Sequence, residues 1–259
     1  KASLLKDLAV AYIRLGETGS ALEAYEELSQ LESLELEALS WMGYAYLREG
    51  QNEKAIARLE EALAKAPNDP AVLVNLGNAY TARNGAGDSN KALQTYSKLI
   101  QVSPNSPVAH YNVGVLRMKA GQYSQAAEAF QASARLATGQ EARFSWNNLG
   151  YCYEQMGQMK EAASAYARAS DLEPTNGLYA KNAGLAYARI NEAELSRKYL
   201  DRASAQGMGG TVVSSNLIEA MVREGKTAEA LDLLKKQAAE KPNDADVWFN
   251  IGVLSARLG

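Results

Sequence analysis

The chain has 259 residues, 47% of them hydrophobic and 22% charged, with a formal net charge of -3 at pH 7. Those fractions exclude wholesale disorder, the charge gives no global attraction to phosphate, and no apolar run approaches the ~20 residues that span a bilayer. A lone cysteine, Cys152, and a lone histidine, His110, exclude an internal disulfide, a cysteine-based metal cluster and a His-rich metal site.

Residues of high helix propensity dominate, and 14 tyrosines against 3 phenylalanines suggest rings that each keep a polar end near water. The chain opens at Lys1 already in a helical pattern, without an initiator Met or a leader-like segment. The expected compartment is cytoplasmic, with the cell envelope left open in case a leader has been removed. The first unit carries the pair Leu8-Ala9, then Tyr12, then Gly16, then a small residue, Ala21, and four positions on a bulky one, Tyr25. The same order returns as Met42-Gly43, Tyr46, Gly50, Ala55 and Leu59, closed by Pro67. It returns again as Leu76-Gly77, Tyr80, Ala92, Tyr96 and Pro104, and as Val113-Gly114, Arg117, Gly121, Ala126 and Phe130. A fifth copy reads Leu149-Gly150, Tyr153, Gly157, Ala162, Tyr166 and Pro174; a sixth reads Ala183-Gly184, Tyr187, Ser196 and Leu200. Leu217-Ile218, Met221, Gly225, Ala230, Leu234 and Pro242 make a seventh, and Ile251-Gly252 with Ser255 begins an eighth. Successive pairs are 34, 34, 37, 36, 34, 34 and 34 residues apart.

A 34-residue period carrying these residues resembles the tetratricopeptide repeat, a helix-turn-helix unit. The resemblance implies an all-α, right-handed superhelical solenoid of seven complete repeats and a partial eighth. Their approximate bounds are 2–35, 36–69, 70–106, 107–142, 143–176, 177–210, 211–244 and 245–259, expected to be one array cut from a longer chain. Helical spacing agrees: Trp146, Leu149, Gly150 and Tyr153 follow i, i+3, i+4, i+7 and predict one buried face. Glycine inside a helix costs about 1 kcal/mol relative to alanine, so its recurrence there implies close packing. Gly16, Gly50, Gly121, Gly157 and Gly225 fall where a left-handed C-cap is expected. Residues 83–90 add three residues to a turn and 137–143 add two; both are expected to be surface loops. Residues 205–215 keep the count but contain Gly207, Gly209 and Gly210, and any hinge is expected near Gly209.

In this family the first helices line a concave face, presenting the second, fifth, sixth, ninth and thirteenth positions. The sixth position reads Asp7, Trp41, Asn75, Asn112, Asn148, Asn182, Asn216 and Asn250. Asparagine is roughly 0.5 kcal/mol worse than alanine in a helix, and its amide matches the paired N–H and C=O of a peptide backbone. The row resembles the asparagine ladder of O-linked N-acetylglucosamine transferase superhelices, which holds a peptide by its main chain; solvated asparagines common at this position are the competing account. Apolar side chains lie between, among them Tyr44, Val74, Tyr111, Val115, Phe144, Tyr151, Leu178, Leu185, Phe249 and Val253. At about 0.5–1.5 kcal/mol per net hydrogen bond, asparagines barely offset the ~1–2 kcal/mol of ordering each peptide residue. Apolar contacts must supply most of the roughly 8 kcal/mol of a micromolar complex.

The thirteenth position holds Arg14, Arg48, Lys119, Arg189, Arg223 and Arg257. Either a mildly acidic ligand or pairing between repeats accounts for them. The carboxylate clamp of the family's heat-shock co-chaperones is absent: Leu185 replaces its asparagine, and Asp246 and Asn250 stand where two basic residues belong.

No catalytic constellation is present. His110 shares its slot with Trp146 and Trp248 and is expected to pack, and Cys152 is expected in the core. The segment 85–91 lacks the second glycine and the Ser/Thr of a phosphate loop. No cofactor or metal is implied. The expected function is a non-enzymatic scaffold binding a protein or peptide partner, with Asn75, Asn112, Asn148, Asn182, Asn216, Asn250, Tyr111, Phe144, Tyr151, Arg189 and Arg223 as the contact residues. A targeting arm of a larger enzyme such as a glycosyltransferase is the alternative. Nucleic acid and direct membrane insertion are not expected. The face around Trp248, Phe249 and Ile251 is expected to be covered by further residues or by self-association.

Overall fold

The computed structural model describes residues 1–240 and 242–259, apart from the side chains of Thr211, Val212 and Glu240. The described residues form helices joined by short turns, without a β-strand, and pack as two compact units, Lys1–Ala120 and Gly121–Gly259. The first unit comprises α1 (Ala2–Leu15), α2 (Thr18–Leu31), α3 (Leu36–Arg48), α4 (Asn52–Lys65), α5 (Pro70–Arg83), α6 (Asp88–Val102) and α7 (Pro107–Lys119). The second comprises α8 (Tyr123–Leu136), α9 (Ala142–Gln155), α10 (Met159–Leu172), α11 (Gly177–Arg189), α12 (Ala193–Ala205), α13 (Thr211–Arg223), α14 (Thr227–Glu240) and α15 (Ala245–Leu258). Odd-numbered helices are the first helices of the eight repeats, and the boundary between units lies in the turn of repeat four.

The recurring glycine and the recurring bulky residue are a contact pair. A β-carbon on Gly43 would sit 2.5 Å from Leu59 Cγ, and on Gly77 2.6 Å from the Tyr96 ring. In the second unit the matching distances are 2.7 Å from Gly150 to Tyr166 and 2.6 Å from Gly184 to Leu200. The missing side chain lets two antiparallel helices close on a large residue, which is why a helix-weakening residue sits mid-helix. Where repeats three and six lack a glycine after the first helix, Asn84 (φ 52°) and Asn191 (φ 62°) take the left-handed turn instead.

The prolines that close four repeats sit two residues before a helix cap. Asp69 accepts from the Ala71 and Val72 amides at 2.9 and 3.0 Å, and Ser106 from Ala109 at 3.3 Å. Asn176 accepts from Leu178 at 3.2 Å, and Asp244 from Asp246 and Val247 at 3.2 and 3.3 Å. Each cap satisfies amides that the first helical turn leaves open.

Three expectations change. Two of the recurring tyrosines do not turn their hydroxyls to water: Tyr46 and Tyr80 are buried and donate to Glu26 and Glu60 on the second helix of the preceding repeat. Burial and the glutamate push the Tyr46 phenol up to about 12. His110 and Trp248 stay partly exposed and clip the incoming turn, with ring nitrogens 3.0 Å from the Pro104 carbonyl and 2.8 Å from the Pro242 carbonyl. Of the face predicted to be buried in repeat five, Leu149 and Gly150 are buried while Trp146 and Tyr153 are half-buried.

Packing also runs through the glycines at 207–210. One apolar cluster joins Leu200 and Ala203 to Val213 and Leu217, and Met208 and Gln206 lie against Gly177. Arg197 grips both Glu224 oxygens at 3.0 and 2.9 Å across the same junction. The two compact units meet in sequence at Ala120/Gly121, and Gly209 lies inside the second of them.

Tyr25 departs from its neighbours: its hydroxyl is buried and has no hydrogen-bond partner among the described residues, and burial raises the phenol to about 12. An unpaired buried hydroxyl costs about 1–3 kcal/mol. The equivalent residue of repeat four is Phe130, so the slot accepts an apolar ring. Tyr25→Phe is expected to raise stability by about 1 kcal/mol, seen as a higher urea midpoint; a lower midpoint would show that the hydroxyl is bonded.

Candidate functional site

In the first unit, α5 and α7 carry Asn75 and Asn112 on the same half-buried face, with Tyr111 and Val74 alongside. Asn112 Nδ2 reaches 3.5 Å toward Oδ1 of Asn78, one helical turn beyond Asn75. That oxygen also accepts from the Tyr96 hydroxyl at 2.6 Å. The asparagine of repeat four is thus tied through Asn78 to a core tyrosine of repeat three.

The second unit repeats this arrangement with other residues. Asn182 on α11 donates to Asn147 Oδ1 on α9 at 3.2 Å, and Asn147 Nδ2 lies 3.5 Å from Asn148 Oδ1. The sixth-position amides of repeats five and six therefore share one intermediary. Sequence reasoning missed both intermediaries, Asn78 and Asn147. The available signals were the Asn147-Asn148 doublet and the three-residue spacing of Asn75 and Asn78, which puts them on one face.

Around these amides the second unit exposes apolar surface. Phe144 is 47% exposed, Leu178 43% and Tyr151 40%, while Leu185 is half-buried. Exposed side chains of this size in one stretch of helix face mark a place for contact with another molecule. Two of the rings are held in place. Tyr123 meets Tyr151 edge to face at 6.2 Å, and the Arg143 guanidinium lies over Phe144 at 4.3 Å while pairing with Glu173 at 3.1 Å. Asn216 is half-buried on α13 and Asn250 exposed on α15. Asn250 borders a cavity of about 140 Å³ together with Ser215, Ile218 and Asp246.

The basic residues of the thirteenth position do not share one environment. Arg189 pairs with Glu154 of the preceding repeat, whose other oxygen accepts from the Tyr166 hydroxyl at 2.9 Å. Arg223 pairs with Glu219 at 2.6 Å and donates to Asn191. Both predicted contact arginines are thus engaged within the second unit: Arg189 pairs between repeats, whereas Arg223 pairs within α13 and donates to Asn191 of the preceding repeat. Arg14 and Arg48 make no ion pair among the described residues.

Cys152 is fully buried, as expected, and burial raises its thiol to about 11, so it stays protonated at neutral pH. In the segment that faintly matches a phosphate loop, a carboxylate occupies the turn: Asp88 accepts from the Gly85 amide at 2.7 Å and from Arg83 at 2.8 and 2.5 Å. Among the described residues no helix is long and apolar enough to cross a membrane.

Comparison with known proteins agrees with the repeat. Tetratricopeptide-repeat family models match residues 43–83, 82–141 and 144–176, and a model described as PPR repeat matches 212–236, within repeat seven. The cattle (Bos taurus) BBSome complex member BBS4 is 25% identical over 231 residues, covering 77% of this chain and 44% of that protein. The chain spans less than half the length of the first curated relatives it matches. The structure of the C-terminal part of a TPR repeat-containing protein from Cytophaga hutchinsonii superposes with a TM-score of 0.71 at 16% identity, over 94% of this chain and 98% of that one. YrrB, described as a TPR protein with an unusual peptide-binding site, superposes with a TM-score of 0.59 at 18% identity, over 74% and 96%. By its period, its paired helices and these matches, the chain belongs to the tetratricopeptide-repeat family.

Proposed function

We propose that this protein is a non-enzymatic interaction scaffold whose second unit binds an extended peptide segment of a protein partner along α9 and α11. One observation supports this most: Phe144, Tyr151 and Leu178 are exposed around the linked amides of Asn147, Asn148 and Asn182. A solvated face has no use for three large apolar side chains, and a purely apolar patch has no use for oriented amides. The division of labour follows from magnitude. Each amide bond contributes about 0.5–1.5 kcal/mol, so the asparagines fix direction and register. The rings, at about 25 cal/mol per Å² of apolar area buried, supply affinity. The description of YrrB as a peptide-binding TPR protein points the same way. Nucleic acid is not proposed as the ligand, because the chain carries a net charge of -3.

The experiment replaces Asn148, Asn182 and Asn216 together by alanine. Peptides selected by display on the unmodified chain are expected to bind the variant at least tenfold more weakly by fluorescence anisotropy, with the helical circular dichroism retained. Unchanged affinity would sink the amide reading. Phe144→Ala with Leu178→Ala leaving affinity intact would sink the surface altogether.

A further inference from the structure

In α3 the third, seventh and tenth places of the repeat are Ala38, Met42 and Ala45, and in α5 they are Val72, Leu76 and Ala79. All six are buried, with α3 packed on α2 and α5 on α4. In α1 the same places hold Leu4, Leu8 and Ala11, and there the face is open: Leu4 is 71% exposed and Leu8 40%. Leu15, 73% exposed, carries the face on to the last turn. Leu4 and Ala11 are seven residues apart, as are Leu8 and Leu15, which is the alternating spacing of a coiled-coil seam. Leucines exposed in one line along a helix mark a contact surface.

The charges of α1 fall into two groups. Lys1 and Lys6 pair with Glu27 and Glu35 at 2.6 and 2.7 Å. Asp7 and Arg14 are exposed and make no ion pair among the described residues, Glu17 beyond the left-handed turn at Gly16 included. They stand one place before Leu8 and Leu15, on one flank of the seam, where paired helices exchange salt bridges. Consider a second copy of α1 laid antiparallel on the first, about a two-fold axis through the middle of the helix. Leu4 then meets Leu15 of the second copy and Leu8 meets Ala11, so two Leu–Leu layers enclose two Leu–Ala layers. The same operation sets Asp7 opposite Arg14 of the second copy, and it does so twice, because the contact is isologous. A parallel pairing sets Asp7 level with Asp7 and leaves all four charges without a partner.

We infer that this chain forms an isologous dimer through α1, and that the occupant of its leucine face is the same helix of a second copy, antiparallel to it. Self-complementarity selects that occupant. The order of bulky and small residues fits its own reverse, and the two charges left spare in one chain satisfy each other across two. With 14 residues, α1 spans about 21 Å, so the contact is small and the dimer reversible. It shares no residue with the surface of Phe144, Asn148 and Leu178.

Sedimentation velocity of the whole chain, over a concentration series of ~1–200 μM, reads the association expected of a small interface. The unmodified chain is expected to pass from monomer to dimer within that range. Leu4→Ser with Leu15→Ser should weaken the dimer at least tenfold. Asp7→Arg and Arg14→Asp, each alone, replace two attractions by two repulsions and should weaken it about tenfold. A mixture of these two charge variants should associate at least tenfold more tightly than either does alone, because each then supplies the charge that the other lacks. A monomer at every concentration would leave the face to some other occupant and overturn the dimer. So would full association of the double leucine variant, or a mixture no tighter than its components, which would place the contact elsewhere or make it parallel. Equal urea midpoints for all variants at ~1 μM, where the chains are apart, show that each is folded.

Discussion

Replacing Gly184 by alanine is expected to destabilise the protein by about 2–3 kcal/mol, while the same replacement at Gly252 stabilises it by up to about 1 kcal/mol. The two glycines hold the same place in repeats six and eight. At Gly184 the new β-carbon would lie 2.6 Å from Leu200 Cδ2 and Cγ and 3.0 Å from the Leu200 backbone nitrogen. A rotamer change relieves the first two contacts, but the third requires α11 and α12 to separate. At Gly252 no atom lies within 4 Å, so alanine gains helix propensity and meets nothing. Leu200 is fully buried, so Leu200→Ala alone should cost about 2–5 kcal/mol. The double variant Gly184→Ala with Leu200→Ala should cost clearly less than the sum, because the added methyl occupies space the leucine vacates. Urea unfolding of the four proteins measures this. Additive losses would mean that the glycine is there for backbone reasons and not for the leucine.

The second large effect concerns Asp88. Its carboxylate is almost fully buried, gripped by Arg83 through two nitrogens and by the Gly85 amide. The Arg83 guanidinium holds the carboxyl well below its ordinary 3.8, at about 2. The stabilisation from a depressed carboxyl is complete above the unfolded value and is lost as pH falls toward the folded one. Asp88→Asn should therefore lower the urea midpoint markedly at pH 7, and the gap from the unmodified protein should close between about pH 4 and pH 2. A gap that is constant down to pH 2 would show that packing, and not charge, holds the turn. The residues inserted at 83–90 are thus pinned, whereas the sequence reading treated them as a tolerated loop.

Much of this architecture was open to inspection in the order of residues. The 34-residue period located the helix pairs, because a glycine and a bulky residue recur 16 residues apart, or 19 in repeat three, and a helix pair brings them together. The cap signals were equally plain, since Pro67, Pro104, Pro174 and Pro242 each precede a capping Asp, Ser or Asn by two residues. Helical spacing also marked Asn75 and Asn112 in the first unit, and Asn148, Asn182 and Asn216 in the second, and each of them is partly accessible. It could not say which amide meets which. Asn182 meets Asn147 across 35 residues, and that depends on the lateral offset of two helices, which no periodicity encodes. The same limit hid the difference between Arg189, which finds Glu154, and Arg14, which finds no acid. The hydroxyls of Tyr46 and Tyr80 were misjudged for a related reason: Glu26 and Glu60 come within reach only when the next repeat is laid against them.

The glycine–bulky pairs bear on how the chain reaches its native state. Gly43 and Leu59, Gly150 and Tyr166, and Gly184 and Leu200 are each 16 residues apart, and Gly77 and Tyr96 are 19 apart. Loops this short close on the order of 10–100 ns, and their closure entropy is small. Each pair can therefore nucleate by itself before any distant part of the chain has been found. A topology this local predicts rapid folding that can start at several points and spread by addition of neighbours. Slowing the encounter at Gly184 should then delay refolding of its surroundings far more than that of Gly43 and Leu59.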